Sequence, residues 1–228
     1  MKITLPDNSS RDLPDGSSGY DLAKDIGPGL AKSAVAITIN GEQRDLYDVI
    51  EEDASVSIIT IDSDAGTEIM RHTLTAQVLA KAIKNLYPES QLAIGPTIED
   101  GFYYDVETNK TISIDDLQKI EDEMRDIIKT KSSITKKLVT KSDALKVFKS
   151  LNEPYKQEII NDSVQKDDFQ LYYQDQDEFV DLCRGPHLPN LGFIGSFKLT
   201  KVSGAYWQGD SKNTCLLYTS PSPRDNKA

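Results

Sequence analysis

The sequence predicts an α+β protein built as two unequal units, and three observations carry that reading. Short β-branched strand signals crowd into the first sixty or so residues around one short helix. A single long amphipathic helix then opens the rest of the chain. After it, strands and helices follow in no regular alternation, which argues against the βαβ rhythm of a parallel sheet.

The first unit spans residues 1–62. Lys2–Leu5 and Arg11–Leu13 are strand candidates on either side of the turn-rich Pro6-Asp7-Asn8-Ser9. A helix from Tyr20 to Ile26 stops at the breaker Gly27-Pro28-Gly29. Ala34–Ile39 and Gln43–Leu46 read as a hairpin across Asn40-Gly41, because a tight two-residue turn needs positive φ at both central positions. Val56–Thr60 closes the unit. Four or five strands about one helix make a β-grasp-like module, and Asp62–Gly66 reads as a linker.

The second unit opens with a helix over Thr67–Tyr87. Met70, Leu74, Val78, Ala82 and Leu86 recur every four residues there, and Pro88 ends it. A second helix, Ile114–Lys129, starts at Ser113 with Asp116 in near capping-box spacing. A third covers Asp143–Leu151. Strand candidates fall at Leu92–Ile94, Phe102–Val106, Phe179–Cys183 and Phe197–Val202. From Cys215 to Asp225 the character changes. That string back-translates codon by codon into the adapter of a widely used transposon-based sequencing library. Residues 214–228 are therefore expected to be non-native read-through, the alternative being an ordinary Ser/Pro-rich terminus.

Composition narrows the function. The 228 residues hold 26 Lys+Arg against 37 Asp+Glu, a net charge of −11. A nucleic-acid partner then needs a local basic face. The only dense positive run is Lys129, Lys131, Lys136, Lys137 and Lys141, which reads first as a solvated face and functionally as a phosphate contact. No run approaches the ~18 apolar residues of a membrane span, and the polar start lacks a secretory core, so a cytoplasmic protein is expected. Two distant cysteines, Cys183 and Cys215, make no disulfide framework. Two histidines, His72 and His187, exclude a His-rich metal centre.

Neither a phosphate-cradling G-x-x-x-x-G-K-[ST] nor a G-x-G-x-x-G is present, so a GTPase or dinucleotide enzyme lacks its loop. The informative segment is Asp181-Leu182-Cys183-Arg184-Gly185-Pro186-His187. Across Gly-Pro, a thiol and an imidazole four apart sit on a tight turn that can aim both into one pocket. On pattern alone a buried thiol and a turn-capping histidine come first. His72, above Leu79 and Ile83 on its helix, points to the core or a cleft. Gly95-Pro96 and Gly101-Phe102-Tyr103-Tyr104-Asp105 read as turn and packed strand, or as a pocket wall.

At these residues the sequence resembles the N-terminal part of the bacterial-type threonyl-tRNA synthetases. The resemblance covers almost all of residues 1–213. It rests on Asp25–Lys32, the strand into Asn40-Gly41-Glu42, Ala93–Pro96, Gly101–Asp105, Asp181–His187 and Gly204–Ser211. Residues 1–62 are similar to the family's TGS domain, and residues 63–213 to the editing domain shared with alanyl-tRNA synthetase. The resemblance implies proofreading. A synthetase that attaches threonine with ATP cannot fully exclude serine, because one missing methyl is worth only ~1–3 kcal/mol. A second site therefore hydrolyses seryl-tRNA(Thr).

By the family's pattern the catalytic residues are His72, Lys156, Asp181, Cys183 and His187, with Gln77, Gly95 and Tyr104 binding substrate. His72 and His187 would orient water or the terminal adenosine. Lys156 would protonate the leaving oxygen or stabilise the oxyanion, Asp181 would grip the substrate's amine or hydroxyl, and Cys183 would form a wall. No metal and no cofactor is expected in this part. The resemblance places ATP, magnesium and zinc in a catalytic domain that would follow Asn213 with an anticodon-binding domain. It implies tRNA(Thr) and seryl-tRNA(Thr) as partners, no membrane, and a homodimer formed through that catalytic domain.

One departure stands out. The family's first helix carries H-x-x-x-H, but here the residue four after His72 is Ala76. Counting back from Pro88 gives one inserted residue, with Gln77 where the second histidine belongs. Five residues along a regular helix is about 140° away from His72's face. A π-bulge would absorb the insertion and bring Gln77 towards the pocket. The competing reading is a tRNA-binding module with a degenerate editing site.

Overall fold

The computed structural model describes residues 1–99, 101–110, 112–175, 178–206 and 215–221. Residues 1–60 form a five-stranded sheet from β1 (Lys2–Thr4), β2 (Ser10–Asp12), β3 (Ala34–Ile39), β4 (Glu42–Asp45) and β5 (Ala54–Thr60), in the order β2-β1-β5-β3-β4. Strands β1 and β5 run parallel and the other pairs antiparallel, the arrangement expected of a β-grasp-like unit. Asn40 (φ 52°) and Gly41 (φ 89°) make the β3–β4 turn, as Asn-Gly requires. Helix α1 (Gly19–Ile26) starts at a capping box between Ser18 and Asp21. A second helix, α2 (Pro28–Ser33), follows directly where the sequence predicted only a stop. Proline in the first helical position loses no needed N–H, so Gly27-Pro28 separates two helices instead of ending helical structure.

The expected linker is the first turn of a helix. In α3 (Asp64–Thr73) the Ser63 hydroxyl accepts from the Gly66 amide at 3.0 Å. Gly66 lies so close to the Thr60 carbonyl that a Cβ has no room. The predicted long helix is continuous but not uniform: a π-helical stretch, Leu74–Leu79, joins α3 to α4 (Ala80–Leu86). Buried residues of this helix share one core with Val35, Ala36 and Ile59 of the first sheet and with Ile120 and Met124 beyond it.

The rest of the second unit contains strands β6 (Gln91–Leu92), β7 (Thr97–Ile98), β8 (Gly101–Phe102) and β9 (Val106–Glu107), then α5 (Leu117–Lys129), β10 (Ile134–Val139), α6 (Lys141–Ser150) and α7 (Pro154–Asp162). Strands β11 (Phe169–Gln174), β12 (Phe179–Leu182), β13 (Leu199–Tyr206) and β14 (Cys215–Pro221) complete it. They pair as a sheet β10-β11-β12, a sheet β13-β14-β9-β6 and a hairpin β7-β8. Ser113 and Asp116 form the expected capping box. Strands β10 and β11 and helix α7 escaped the sequence reading. Two lysines interrupt β10, two glutamines break the alternation in β11, and α7 is too short to show a period. The expected strand Phe102–Val106 divides between β8 and β9. The segment expected to be foreign contributes β14, antiparallel to β13. Backbone pairing of this kind accepts many β-prone strings, so the strand does not bear on where the string comes from. Residues 207–214 and 222–228 lie outside the described residues. No helix among the described residues is long and apolar enough to cross a membrane.

Between β8 and β9, Asp105 is buried, and its Oδ1 has no hydrogen-bond partner among the described residues. Burial pushes this carboxyl up from 3.8 to about 6. The folded chain then keeps a proton that the unfolded chain releases, so the contribution to stability is present below about pH 4 and fades as pH rises through about 6. Asp105→Asn is expected to raise the urea midpoint relative to the parent at pH 7 and to lose that advantage at pH 4.

Candidate functional site

Helix α3, the loop after β6, the start of α7 and the end of β12 enclose a cleft of about 770 Å³. Its lining includes His72, Ala76, Gly95, Lys156, Asp181 and Cys183. Gly95 is a steric necessity, because a Cβ there would run into the Tyr104 ring and the Thr75 hydroxyl.

At one wall lies a buried ion pair. Lys156 sits in the first turn of α7, started by Pro154, and its Nζ lies 2.6 Å from Asp181 Oδ1, with both side chains almost wholly buried (4% and 2% exposed). Tyr104 closes a triangle: its hydroxyl donates to Asp181 Oδ2 at 3.1 Å and accepts from Lys156 Nζ at 3.0 Å. The Leu182 amide donates to Asp181 Oδ1 at 2.8 Å. A buried charge pair is tolerable only when its remaining hydrogen-bonding capacity is met, and here three donors meet the carboxylate. Burial and the neighbouring carboxylate hold the Tyr104 hydroxyl well above its ordinary range, so it stays protonated. An ammonium has three N–H bonds and two are committed among the described residues, which leaves one for a molecule in the cleft.

Beside this triangle His72 Nε2 lies 2.6 Å from Cys183 Sγ, and His187 Nε2 lies 3.2 Å from the same sulfur. The two rings stack at 4.5 Å and 13°. Burial lowers the affinity of both imidazoles for a second proton and pushes the Cys183 thiol up to about 12. At neutral pH the cluster is two neutral rings and a thiol.

The three donor atoms lie within 4.8 Å of one another, which raises the question of a metal. Around zinc, a nitrogen at ~2.0 Å and a sulfur at ~2.3 Å in tetrahedral array stand roughly 3.5 Å apart. His72 and Cys183 are closed to 2.6 Å, and near-parallel rings do not converge on one point. As arranged, these residues do not fit a zinc ion.

The first unit reaches the back of the site. Asp45, at the end of β4, accepts from the Tyr172 hydroxyl at 2.7 Å and from the His187 amide at 2.9 Å, and pairs with Lys136 at 2.8 Å. Tyr172 in turn packs edge-on against the His187 ring. Gly185 (φ +64°) stands where any side chain would strike the Tyr172 hydroxyl.

Several expectations need correction. Gln77 is not at the cleft. It is fully buried and accepts from Gln174 Nε2 through its backbone carbonyl (2.6 Å) and side-chain oxygen (3.2 Å). The π turn is present, but it keeps Ala76 in line with His72 and turns Gln77 towards β11. His187 lies behind Cys183 and does not line the cleft. Asp181, expected to grip substrate, has both oxygens occupied by the chain's own donors. Much of the lysine run is engaged within the chain: Lys136 pairs with Asp45 and Asp48, Lys137 lies 4.1 Å over the Tyr173 ring, and Lys141 binds the carbonyls of Asn161 and Ser163. Sequence reasoning missed Asp45, Tyr172 and Thr73, which no local motif marks.

Residues 1–60 match the TGS domain, and residues 170–216 match the threonyl and alanyl tRNA synthetase second additional domain. The second match contains Asp181, Cys183 and His187. Over 214 residues the chain is 45% identical to a threonine–tRNA ligase of Prochlorococcus marinus (strain MIT 9211), covering 94% of this chain and 33% of that protein. The two matches and this identity support reading the chain as an N-terminal piece of a threonyl-tRNA synthetase. The chain spans about a third of the length of the curated relative it matches. Asp181 and Cys183 of the cleft therefore fall in an editing-type domain, and Asp45 ties that domain to the TGS domain.

Removing one member of the buried pair strands the other. Lys156→Met and Asp181→Leu, each alone, are expected to cost about 3–5 kcal/mol in urea unfolding, and the double variant far less than the sum.

Proposed function

We propose that this chain carries the proofreading site of a threonyl-tRNA synthetase and hydrolyses the ester of seryl-tRNA(Thr), releasing serine and free tRNA. We further propose that the protein of which it is a part attaches threonine to tRNA(Thr) with ATP. The observation that carries the first reading is a desolvated lysine with one uncommitted N–H, across a cleft from a neutral imidazole. Ester hydrolysis needs a water made nucleophilic, a donor for the oxyanion and a proton for the leaving ribose oxygen. Neutral His72 accepts from the water. The remaining Lys156 N–H meets the developing oxyanion or the leaving oxygen. Asp181 and Tyr104 hold that ammonium in place, and Cys183 walls the acyl side. A thiol held near 12 is a poor nucleophile, which supports direct attack by water over an acyl-enzyme. The site works without a metal on this reading.

A second reading, tRNA binding without hydrolysis, draws on one feature: Ala76 occupies the cleft face where the family carries its second imidazole, leaving a single ring beside the substrate.

Deacylation of seryl- and threonyl-tRNA(Thr) by the purified chain separates the two. The proposal expects faster loss of serine than of threonine, no effect of a chelator, and at least a hundredfold slower reaction for Lys156→Met. Burial holds both imidazoles below the ordinary histidine range, and the neutral ring is the active one, so the rate should fall with acid only below that range. Saturable tRNA binding with no deacylation would favour the second reading, and abolition by the chelator would overturn the metal-free mechanism.

A further inference from the structure

The Thr73 side chain is fully buried, and its hydroxyl has three partners. Oγ1 lies 2.9 Å from the Ile69 carbonyl, 3.0 Å from the Leu188 amide and 3.1 Å from His187 Nδ1. A hydroxyl has one hydrogen and two lone pairs. The carbonyl can only accept and the amide can only donate. All three contacts are hydrogen bonds in just one arrangement: the hydroxyl donates to Ile69, and accepts from Leu188 N–H and from His187 Nδ1–H. If the hydroxyl instead donated to His187, the Ile69 contact would be lost and a lone pair left empty at a fully buried position, where unmet polar capacity is costly.

From this start the chain of protons runs one way. With its hydrogen on Nδ1, His187 presents a lone pair at Nε2, and the Cys183 thiol, which burial keeps protonated, donates to it across 3.2 Å. The sulfur's lone pairs then face His72 Nε2 at 2.6 Å and the Gly185 amide at 3.5 Å. A lone pair on His72 Nε2 would oppose them, so that nitrogen carries the hydrogen. His72 Nδ1 makes no hydrogen bond among the described residues, and it is left as the ring's basic nitrogen.

We propose that Thr73 is a positioning residue: it sets the direction of the relay Thr73–His187–Cys183–His72 and so fixes His72 as the Nε2–H tautomer, with Nδ1 free to accept a proton from a water in the cleft. The tautomer assignment stands on hydrogen-bond geometry alone, and its use in hydrolysis rests on the function proposed above.

The chain has only two histidines, so the test is direct. Long-range proton–nitrogen spectra of the full chain labelled with 15N-histidine report which nitrogen of each ring is protonated. The parent should show His187 protonated at Nδ1 and His72 at Nε2. Thr73→Val keeps the branched shape but removes the hydroxyl, and should reverse both tautomers. Thr73→Ser should restore them. Where seryl-tRNA deacylation is measurable, Val should lower kcat at least tenfold with KM unchanged, and Ser should recover it. Parent spectra with His187 protonated at Nε2 would overturn the proposal, even should the Val variant fail to fold. Tautomers unmoved by Thr73→Val would overturn it too. Tautomers that follow the hydroxyl in a chain without deacylation would sustain the relay and count against the proofreading reading alone.

Discussion

Lys156 and Asp181 meet at 2.6 Å with both side chains almost wholly buried, and much of the second unit is arranged around that contact. Taking both charges out of solvent costs several kcal/mol apiece unless geometry and hydrogen bonds return it. The return comes from elements distant in sequence: the start of α7 presents the lysine, the end of β12 the carboxylate and an amide, and the loop between β8 and β9 the Tyr104 hydroxyl. Tyr104 reaches its place only because position 95 is glycine. The wall of the cleft is thus fixed before any substrate arrives, and preorganised donors stabilise a developing charge most effectively.

A similar economy joins the TGS domain to the site. Asp45 sits on an edge strand of one domain, yet its two oxygens hold the Tyr172 hydroxyl, the His187 amide and the Lys136 ammonium of the other. The turn that carries Cys183 and His187 is buttressed from outside its own domain. Together with the core shared by Ile59 and Ile69, this makes the first sixty residues part of the site's support. Through Thr73, the helix lends the same turn a second fixed point.

Much of the fold was legible because local chemistry settles it. Asn40-Gly41 can make one kind of turn, Ser113 and Asp116 one kind of cap, and the four-residue spacing from Met70 to Leu86 one kind of helix. What stayed hidden depends on partners far away in sequence. Strand β10 carries Lys136, whose charge is met by Asp45 and Asp48, so its pattern reads as surface until the other domain is in place. Helix α7 shows no period but supplies Lys156, which only the family resemblance marked. Gln77 illustrates the limit of counting along a helix. The π turn was legible as the remedy for an extra residue, but which of Ala76 and Gln77 it presents to the cleft follows from the hydrogen bonds that Gln174 offers on the far side.

The central claim is that the cleft between His72 and Lys156 receives the seryl end of a charged tRNA. An amide-linked analogue of seryl-adenosine carries that end without the cleavable ester, and its titration into the 15N-labelled chain tests the claim most directly. The account predicts saturable shifts centred on the backbone amides of His72, Ala76, Gly95, Lys156 and Cys183, with the TGS strands largely unmoved. Saturable shifts that leave these residues untouched, or no shifts at millimolar analogue, would contradict it.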